Sequence, residues 1–212
     1  RRIVQMVKED LKPSAILTPQ AFENAVMVGL ALSASINLVR HLQAAAVEAR
    51  CHVDIYELYD RLGPKIPLLA AVRPNGETRI EELEAAGGTL GVMKRLGSLI
   101  HRGSLTVSGR TWGTEIDAAP EPGAVIRTVD NPISRKPSVI VMRGNLAPEG
   151  SILKVGDAGA KQSLFEGRAL VFTSQEQALA ALKAGRLVRG TVAVLAGMGC
   201  RGGPGMALAS GF

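Results

Sequence analysis

The chain has 212 residues, of which 46% are hydrophobic and 21% charged, and its formal net charge is +6. This composition is typical of a globular protein, and the length allows one large domain or two small ones. No apolar run is long enough to span a membrane, no signal peptide is expected, and scattered basic residues with only 3% aromatics do not indicate nucleic-acid binding. Two distant cysteines, Cys51 and Cys200, fit reduced thiols in a cytoplasmic protein and cannot by themselves form a metal site.

The first hundred residues predict mostly helices. Residues 1–12 predict a helix, and Thr18 followed by Pro19 predicts the start of the next, with threonine as N-cap and proline at the first helical position. Ser35 is a candidate cap for a helix that continues to about Arg50. Further helices are predicted over 54–62, 79–86 and 89–99, with a short strand over 66–72 and a turn at 74–76.

The second half predicts strands. Short apolar runs indicate strands over 105–107, 124–129, 138–142, 152–155, 169–172 and 191–196. One helix is expected over 175–182, with Ser174 as its N-cap and Gln177 at the capping-box position. Helices followed by strands predict an α+β fold in two structural units, with a boundary near residues 100–120. The second unit is expected to be a β-barrel or sandwich with a helix laid on it.

A glycine-rich loop after the last predicted strand is the best functional candidate. The strand over 191–196 is expected to be buried, and it leads into residues 197–205, five of which are glycine. Gly197, Gly199 and Gly202 match the spacing of a dinucleotide-binding fingerprint, but no helix is predicted to begin at the third glycine, so that interpretation is disfavoured. A glycine-rich turn without a ligand fits the residue types equally well.

Motifs along nearly the whole chain resemble the dihydroxy-acid and sugar-acid dehydratase family. They occur in the family's order at family-like spacing. They are LTPQAFENA at 17–25, SIN at 35–37, LTVSGRT at 105–111, RGNLAPEG at 143–150, FEGRALVF at 165–172, the helix over 175–182 and GGPGM at 202–206. Each motif alone is weak, but together they are specific.

The resemblance implies a hydro-lyase that converts a 2,3-dihydroxy acid into a 2-keto acid with an iron–sulfur cluster and Mg²⁺. In that family the cluster acts on the departing hydroxyl, the cation holds the carboxylate and a serine takes the C2 proton. It also implies that residues 1–105 are the mostly helical end of an N-terminal α/β domain and residues 106–212 part of a C-terminal swivelling β-barrel domain. The expected protein is a cytoplasmic homodimer or higher homo-oligomer acting on a small hydroxy acid, with no nucleic-acid or membrane partner.

The resemblance also assigns residues to the site. It implies that backbone amides of one short segment line the active-site mouth; this segment is Gly202, Gly203, Pro204, Gly205 and Met206. Ser35 and Asn37 match a helix-start pair that either lines the site or simply caps the helix.

No catalytic or metal-ligating residue is assigned in this chain. The resemblance implies that the cluster cysteines precede Arg1 and that the catalytic serine follows Phe212, so the 212 residues alone are expected to be inactive. Leu208 stands where the family commonly has a cation-binding glutamate, and Ile36 replaces a threonine; both departures favour a sugar acid over a branched-chain substrate. The alternative hypothesis is a non-catalytic binding or assembly module built on the barrel fold.

Overall fold

The fold is of the α+β class and divides into two compact units. The computed structural model describes residues 1–155 and 164–198. The units are Arg1–Ala160 and Lys161–Phe212. No helix within the described ranges is long and apolar enough to cross a membrane.

The first unit is mostly helical. Its helices are α1 (Arg2–Lys8), α2 (Pro13–Ile16), α3 (Pro19–Ala31), α4 (Asn37–Glu48), α5 (Ile55–Leu62), α6 (Ile80–Ala85), α7 (Gly88–Leu96) and α8 (Trp112–Ala118), with 3₁₀ turns at Gly63–Lys65 and Gly97–Leu99. Thr18 caps α3, as predicted, because its side chain accepts a hydrogen bond from the Ala21 amide at 3.3 Å. The sequence reading missed α2 and α8; α8 begins at a similar cap, in which the Thr111 hydroxyl accepts from the Thr114 amide.

A β-hairpin follows these helices in the same unit. Strands β1 (Val139–Gly144) and β2 (Ala147–Lys154) pair antiparallel, with Val139 opposite Lys154 and an irregularity between Met142 and Gly144. The two predicted strands here are confirmed. However, β2 begins well before residue 152, so the motif at 143–150 forms the hairpin turn and the start of the second strand.

The core of the first unit surrounds α3. This helix packs against α4, α5 and α7, and its residues Val26 and Leu30 are almost completely buried. Val139 and Val141 of β1 join the same apolar cluster, as does Ile126 from an irregular segment. The hairpin therefore contributes directly to a core that is otherwise helical.

Three strand predictions in this unit are wrong: those over 66–72, 105–107 and 124–129. Only isolated bridges occur in the first two, from Leu68 to Ser134, from Val72 to Thr78 and from Leu105 to Thr111. The segment over 66–72 is buried, but its amides reach the end of α3 rather than a strand: Leu69 and Ala70 both donate to the Ala31 carbonyl. Burial explains the apolar run over 66–72, whereas Val107 is 60% exposed and Ile126 is the buried residue of the segment over 124–129.

The described residues of the second unit, 164–198, form a small β–α–β motif. Strand β3 (Arg168–Phe172), helix α9 (Gln175–Lys183) and strand β4 (Thr191–Leu195) were all predicted, and the two strands pair in parallel. Ser174 caps α9 by accepting from the Gln177 amide at 3.2 Å. The expectation that the last strand is buried is wrong, because every residue of β4 has intermediate exposure. The described residues of this unit therefore shield β4 only partly from solvent.

Candidate functional site

The turn between α3 and α4 is the structural centre of the candidate site. Ser33 lies just past the end of α3 in the left-handed region, with φ of 49°. The Ser33 amide donates to the Leu30 carbonyl at 3.3 Å, and the Ala34 amide donates to the Gly29 carbonyl at 2.9 Å. This pair of bonds is a Schellman motif, which ends the helix and satisfies two of its last carbonyls. The carbonyls of Ser33 and Ala34 themselves are then available to other donors.

A lysine from the hairpin binds both of those carbonyls. The Lys154 ammonium donates to the carbonyl oxygens of Ser33 and Ala34, each at 2.8 Å. Asn75 Nδ2 also donates to the Ser33 carbonyl, at 3.2 Å. A cation at a helix C-terminus interacts favourably with the helix dipole, so Lys154 stabilises the end of α3. Burial lowers the pKa of the Lys154 ammonium.

A cavity of about 440 Å³ opens beside this turn. Its described lining is Leu32, Ser33, Ala34, Ser35, Ile36, Val72, Arg73, Pro74, Asn75, Ile80, Leu83 and Lys154. Within that lining both charged residues, Arg73 and Lys154, are cationic, and none is acidic. Apolar side chains such as Ile80 and Leu83 form the rest of the wall. The cavity therefore combines an apolar surface with positive charge and hydrogen-bond donors.

The structure brings Ser35 to the cavity but not Asn37. Ser35 is part of the lining, whereas Asn37 is the first residue of α4 and lies outside it. The Asn37 amide donates to Ser35 Oγ at 3.3 Å, and the N-cap position belongs to Ile36. Ser35 thus binds the amide two residues ahead, in a local side-chain turn, rather than acting as the simple N-cap expected.

The remaining predicted site residues lie outside the described residues. These are Gly202, Gly203, Pro204, Gly205 and Met206. The same holds for Cys200 and Leu208 and for the second and third glycines of the dinucleotide-type spacing.

The sequence analysis missed Lys154 and Asn75, which organise the turn. The sequence predicts only a turn at Asn75 and the end of a short strand at Lys154. Ser33 and Lys154 are 121 residues apart in sequence, so no local pattern connects them. The one sequence signal that could have indicated this contact is that the segments containing Ser33 and Lys154 both lie beside motifs that resemble the family.

A second polar cluster joins α3, α5 and the segment after α7. Glu23 accepts a hydrogen bond from Arg61 at 2.6 Å, and its other oxygen lies 2.7 Å from His101 Nε2. Asn24 binds both backbone groups of His101, at 2.8 and 3.1 Å. Partial burial raises the pKa of the Glu23 carboxyl, but the hydrogen bonds from His101 and Arg61 outweigh it and leave that pKa below its ordinary value. Each polar group of the cluster has a protein partner, which is typical of a structural role.

The described residues contain no metal-binding cluster. Across residues 1–155 and 164–198, no group of three or more His, Cys, Asp and Glu side chains could hold a metal ion. Cys51 is a free, half-buried thiol. Neither an iron–sulfur cluster nor Mg²⁺ finds a ligand set in this part of the chain.

Comparison with protein-family models shows which family the chain belongs to. Residues 1–115 match the family model for the N-terminal region of dihydroxy-acid/6-phosphogluconate dehydratases, and residues 124–209 match the model for the C-terminal region. The chain belongs to the dihydroxy-acid/6-phosphogluconate dehydratase family. The resemblance seen in the sequence motifs is therefore confirmed.

Curated relatives of the dehydratase family match almost the entire chain. A dihydroxy-acid dehydratase of Pyrococcus furiosus is 43% identical over 208 residues, which are 97% of this chain and 37% of the relative. A dihydroxy-acid dehydratase of Ignicoccus hospitalis is 41% identical over 97% of this chain and 38% of its own length. One of Geobacter sulfurreducens is 41% identical over 97% of this chain and 37% of its own. The chain thus spans well under half the length of the curated relatives it matches.

The residues that line the cavity come from both regions matched by the family models. Ser35, Arg73 and Asn75 belong to the region matched by the N-terminal model, and Lys154 belongs to the region matched by the C-terminal model. The cavity is formed where segments from both family regions meet inside the first unit.

Proposed function

We propose that the chain works as part of a longer hydro-lyase that converts a 2,3-dihydroxy acid into a 2-keto acid. The observation that carries this proposal is the match to a protein named dihydroxy-acid dehydratase. The match includes 97% of this chain but only 38% of the relative's length. The alternative of a non-catalytic assembly module is less well supported, because both family regions of the chain match enzymes.

A domain organisation is proposed on the same family resemblance. We propose that residues 1–105 belong to the N-terminal α/β domain and residues 106–212 to the C-terminal swivelling β-barrel domain. The end of one family match at residue 115 and the start of the next at residue 124 support a boundary in this part of the chain. A cytoplasmic homodimer or higher homo-oligomer is proposed on the family resemblance alone, and light scattering on the longer protein tests the oligomeric state.

Ser35 is proposed to contact the substrate in the cavity beside the α3–α4 turn. Its Oγ accepts from the Asn37 amide, so its hydroxyl proton is available to donate to a substrate oxygen. Asn37 would act through this bond by fixing the Ser35 side chain. Gly202, Gly203, Pro204, Gly205 and Met206 are proposed as further substrate-contacting residues, supported by the motif match.

The cofactors implied by the resemblance do not fit the described residues. No suitable cluster of His, Cys, Asp and Glu side chains exists within them, and Cys51 alone cannot hold an iron–sulfur cluster. We therefore propose that ligands for the iron–sulfur cluster and for Mg²⁺ lie outside this part of the protein. The contribution of the described residues is substrate binding and orientation.

The longer protein that contains this sequence provides the test. It is purified without oxygen, supplied with iron, sulfide and Mg²⁺, and incubated with 2,3-dihydroxy-3-methylbutanoate or gluconate while keto-acid formation is measured. We expect 2-keto acid from at least one substrate. Ser35→Ala should lower kcat/KM by about tenfold, as expected for loss of one substrate hydrogen bond. Ser151→Ala, on the hairpin and outside the cavity lining, is the matched control. Iron–sulfur absorbance without any keto acid would contradict the proposed activity.

A further inference from the structure

The Lys154 ammonium is partly buried without a carboxylate partner among the described residues. An ammonium group has three N–H donors, and the two hydrogen bonds found here both go to neutral carbonyls, those of Ser33 and Ala34. The ion pairs of the described residues do not include Lys154. A partly buried charge is usually matched by an opposite charge, so its third donor and its charge are available to a ligand.

Arg73 adds a second positive charge to the same cavity. Its Nε donates to the Glu77 carbonyl at 3.1 Å, while its guanidinium is 3.7 Å from the fully exposed Glu77 carboxylate. That ion pair is long and solvated, so it neutralises Arg73 only weakly. Arg73 lines the cavity, so its positive charge attracts an anion there.

The cavity offers hydrogen-bond donors from Lys154 and Ser35. The carbonyls of Ser33 and Ala34 are already bound by Lys154, and the Ser35 hydroxyl has a proton to donate. Apolar residues, including Val72 and Ile80, provide contact surface for a carbon chain. Positive charge and donors against an apolar wall fit a small organic acid better than an inorganic ion.

We propose that this cavity binds an oxyanion of a small hydroxy acid, with the third N–H of Lys154 donating to the anion and Arg73 providing the second positive charge. The identity of the acid rests on the proposed function, whereas binding of an oxyanion does not. The two carbonyls of the α3–α4 turn hold the Lys154 ammonium in place before the ligand arrives, which reduces the entropy lost on binding.

Binding to the 212-residue chain tests the inference without any catalytic assay. Gluconate is titrated at low salt while the backbone amide NMR signals of Ser33, Ser35 and Asn75 are followed. We expect saturable shifts at these amides, no shifts with glucose at the same concentrations, and weaker binding as NaCl is raised. Equal shifts with glucose would overturn the proposal, because glucose carries no oxyanion.

Charge-removing variants locate the site. Lys154→Met is expected to weaken gluconate binding by at least tenfold, while Lys183→Met, the same change of net charge on α9, leaves it unchanged. Since Lys154→Met also removes two bonds to the turn, Arg73→Gln provides an independent variant that leaves those bonds intact, and it should weaken binding about threefold. Unchanged gluconate affinity in both Lys154→Met and Arg73→Gln would overturn the proposal. If Lys154→Met does not fold, unchanged gluconate affinity in Arg73→Gln alone would overturn it.

Two further probes distinguish the source of the oxyanion. If 6-phosphogluconate binds at least tenfold more tightly than gluconate and inorganic phosphate competes with it, the site recognises a phosphate; equal affinities assign the carboxylate. The activity assay of the longer protein separates the two hypotheses. Gluconate binding that depends on Lys154, without dehydration, would contradict the proposed function alone, whereas dehydration with binding independent of Lys154 would contradict this inference alone.

Discussion

The two compact units bury very different amounts of apolar side chain. In Arg1–Ala160 the core joins several helices and β1, and it includes the fully buried residues Val26, Val39 and Leu69. In the described residues of Lys161–Phe212, the buried core consists of Phe172, Ala178 and Ala181. Two of those three are alanines, which contribute little apolar area. The described part of the second unit therefore buries much less apolar side chain than the first unit does.

The parallel strand pair explains why this difference matters. Parallel sheets are normally covered on both faces, and two strands with one helix rarely form a stable structure alone. Here Val171 of β3 is 63% exposed, although β3 and β4 consist largely of apolar residues. The described residues of the second unit therefore leave much of the apolar surface of β3 and β4 uncovered. Two measurements test this contrast, and two more test what stabilises the first unit.

The largest effect is expected in the core of the first unit. Leu30→Ala should lower the free energy of unfolding by about 3 kcal/mol, because Leu30 is almost fully buried and its truncation leaves a cavity. Urea denaturation followed by fluorescence of the single tryptophan, Trp112, reports on this unit. Leu182→Ala, at a half-exposed position of α9, should change the result by less than about 0.5 kcal/mol. Equal losses in the two variants would contradict the contrast between the cores.

Hydrogen exchange compares the units directly. Backbone amides of α3 should open with a free energy at least about 2 kcal/mol higher than the paired amides of β3 and β4, because local stability follows the density of buried apolar contacts. Mass spectrometry or NMR of the intact chain measures both sets in one sample. Equal protection in the two units would show that the second unit is held as firmly as the first.

A buried hydroxyl tests how the hairpin is joined to the helical core. Ser138 Oγ donates to the Leu30 carbonyl at 2.9 Å in a buried setting. Ser138→Ala removes this bond and leaves the Leu30 carbonyl with the longer bond from the Ser33 amide, so it should cost about 1 kcal/mol. Ser151→Ala removes a more exposed bond, from Ser151 Oγ to the Met142 carbonyl, and should cost less. The order of the two losses in urea denaturation checks the assignment; the reverse order would contradict it.

The smallest effect is a pH dependence in the first unit. The pKa of Glu23 is below its ordinary value in the folded protein, so its contribution to stability is complete above the unfolded pKa of 4.5 and is lost as the pH falls through the folded value. Glu23→Gln should therefore reduce the difference in stability between pH 6 and pH 3, by about 1 kcal/mol or less. Glu77→Gln, at a fully exposed carboxylate, is the control. Identical pH profiles for the wild type and Glu23→Gln would contradict this role.

The helices were predictable because their signals lie close together in the chain. The caps at Thr18 and Ser174 both form the expected side-chain bonds to the first turn. The strands of both sheets were also found, since apolar runs between turn residues mark them. Predictions failed where an apolar run is buried without a ladder, as over 66–72, because composition reports burial but not which backbone groups pair.

The sequence alone determined the α+β class, most helices, all four strands of the two sheets and membership of the dehydratase family. Only the tertiary structure decided that the Lys154 ammonium binds the end of α3 and that Ser35, Arg73 and Asn75 share a cavity with it. The physical reason is the distance along the chain over which each interaction acts. Caps and periodicity act over a few residues, whereas this site depends on how a hairpin packs against a helix end 121 residues earlier in the chain.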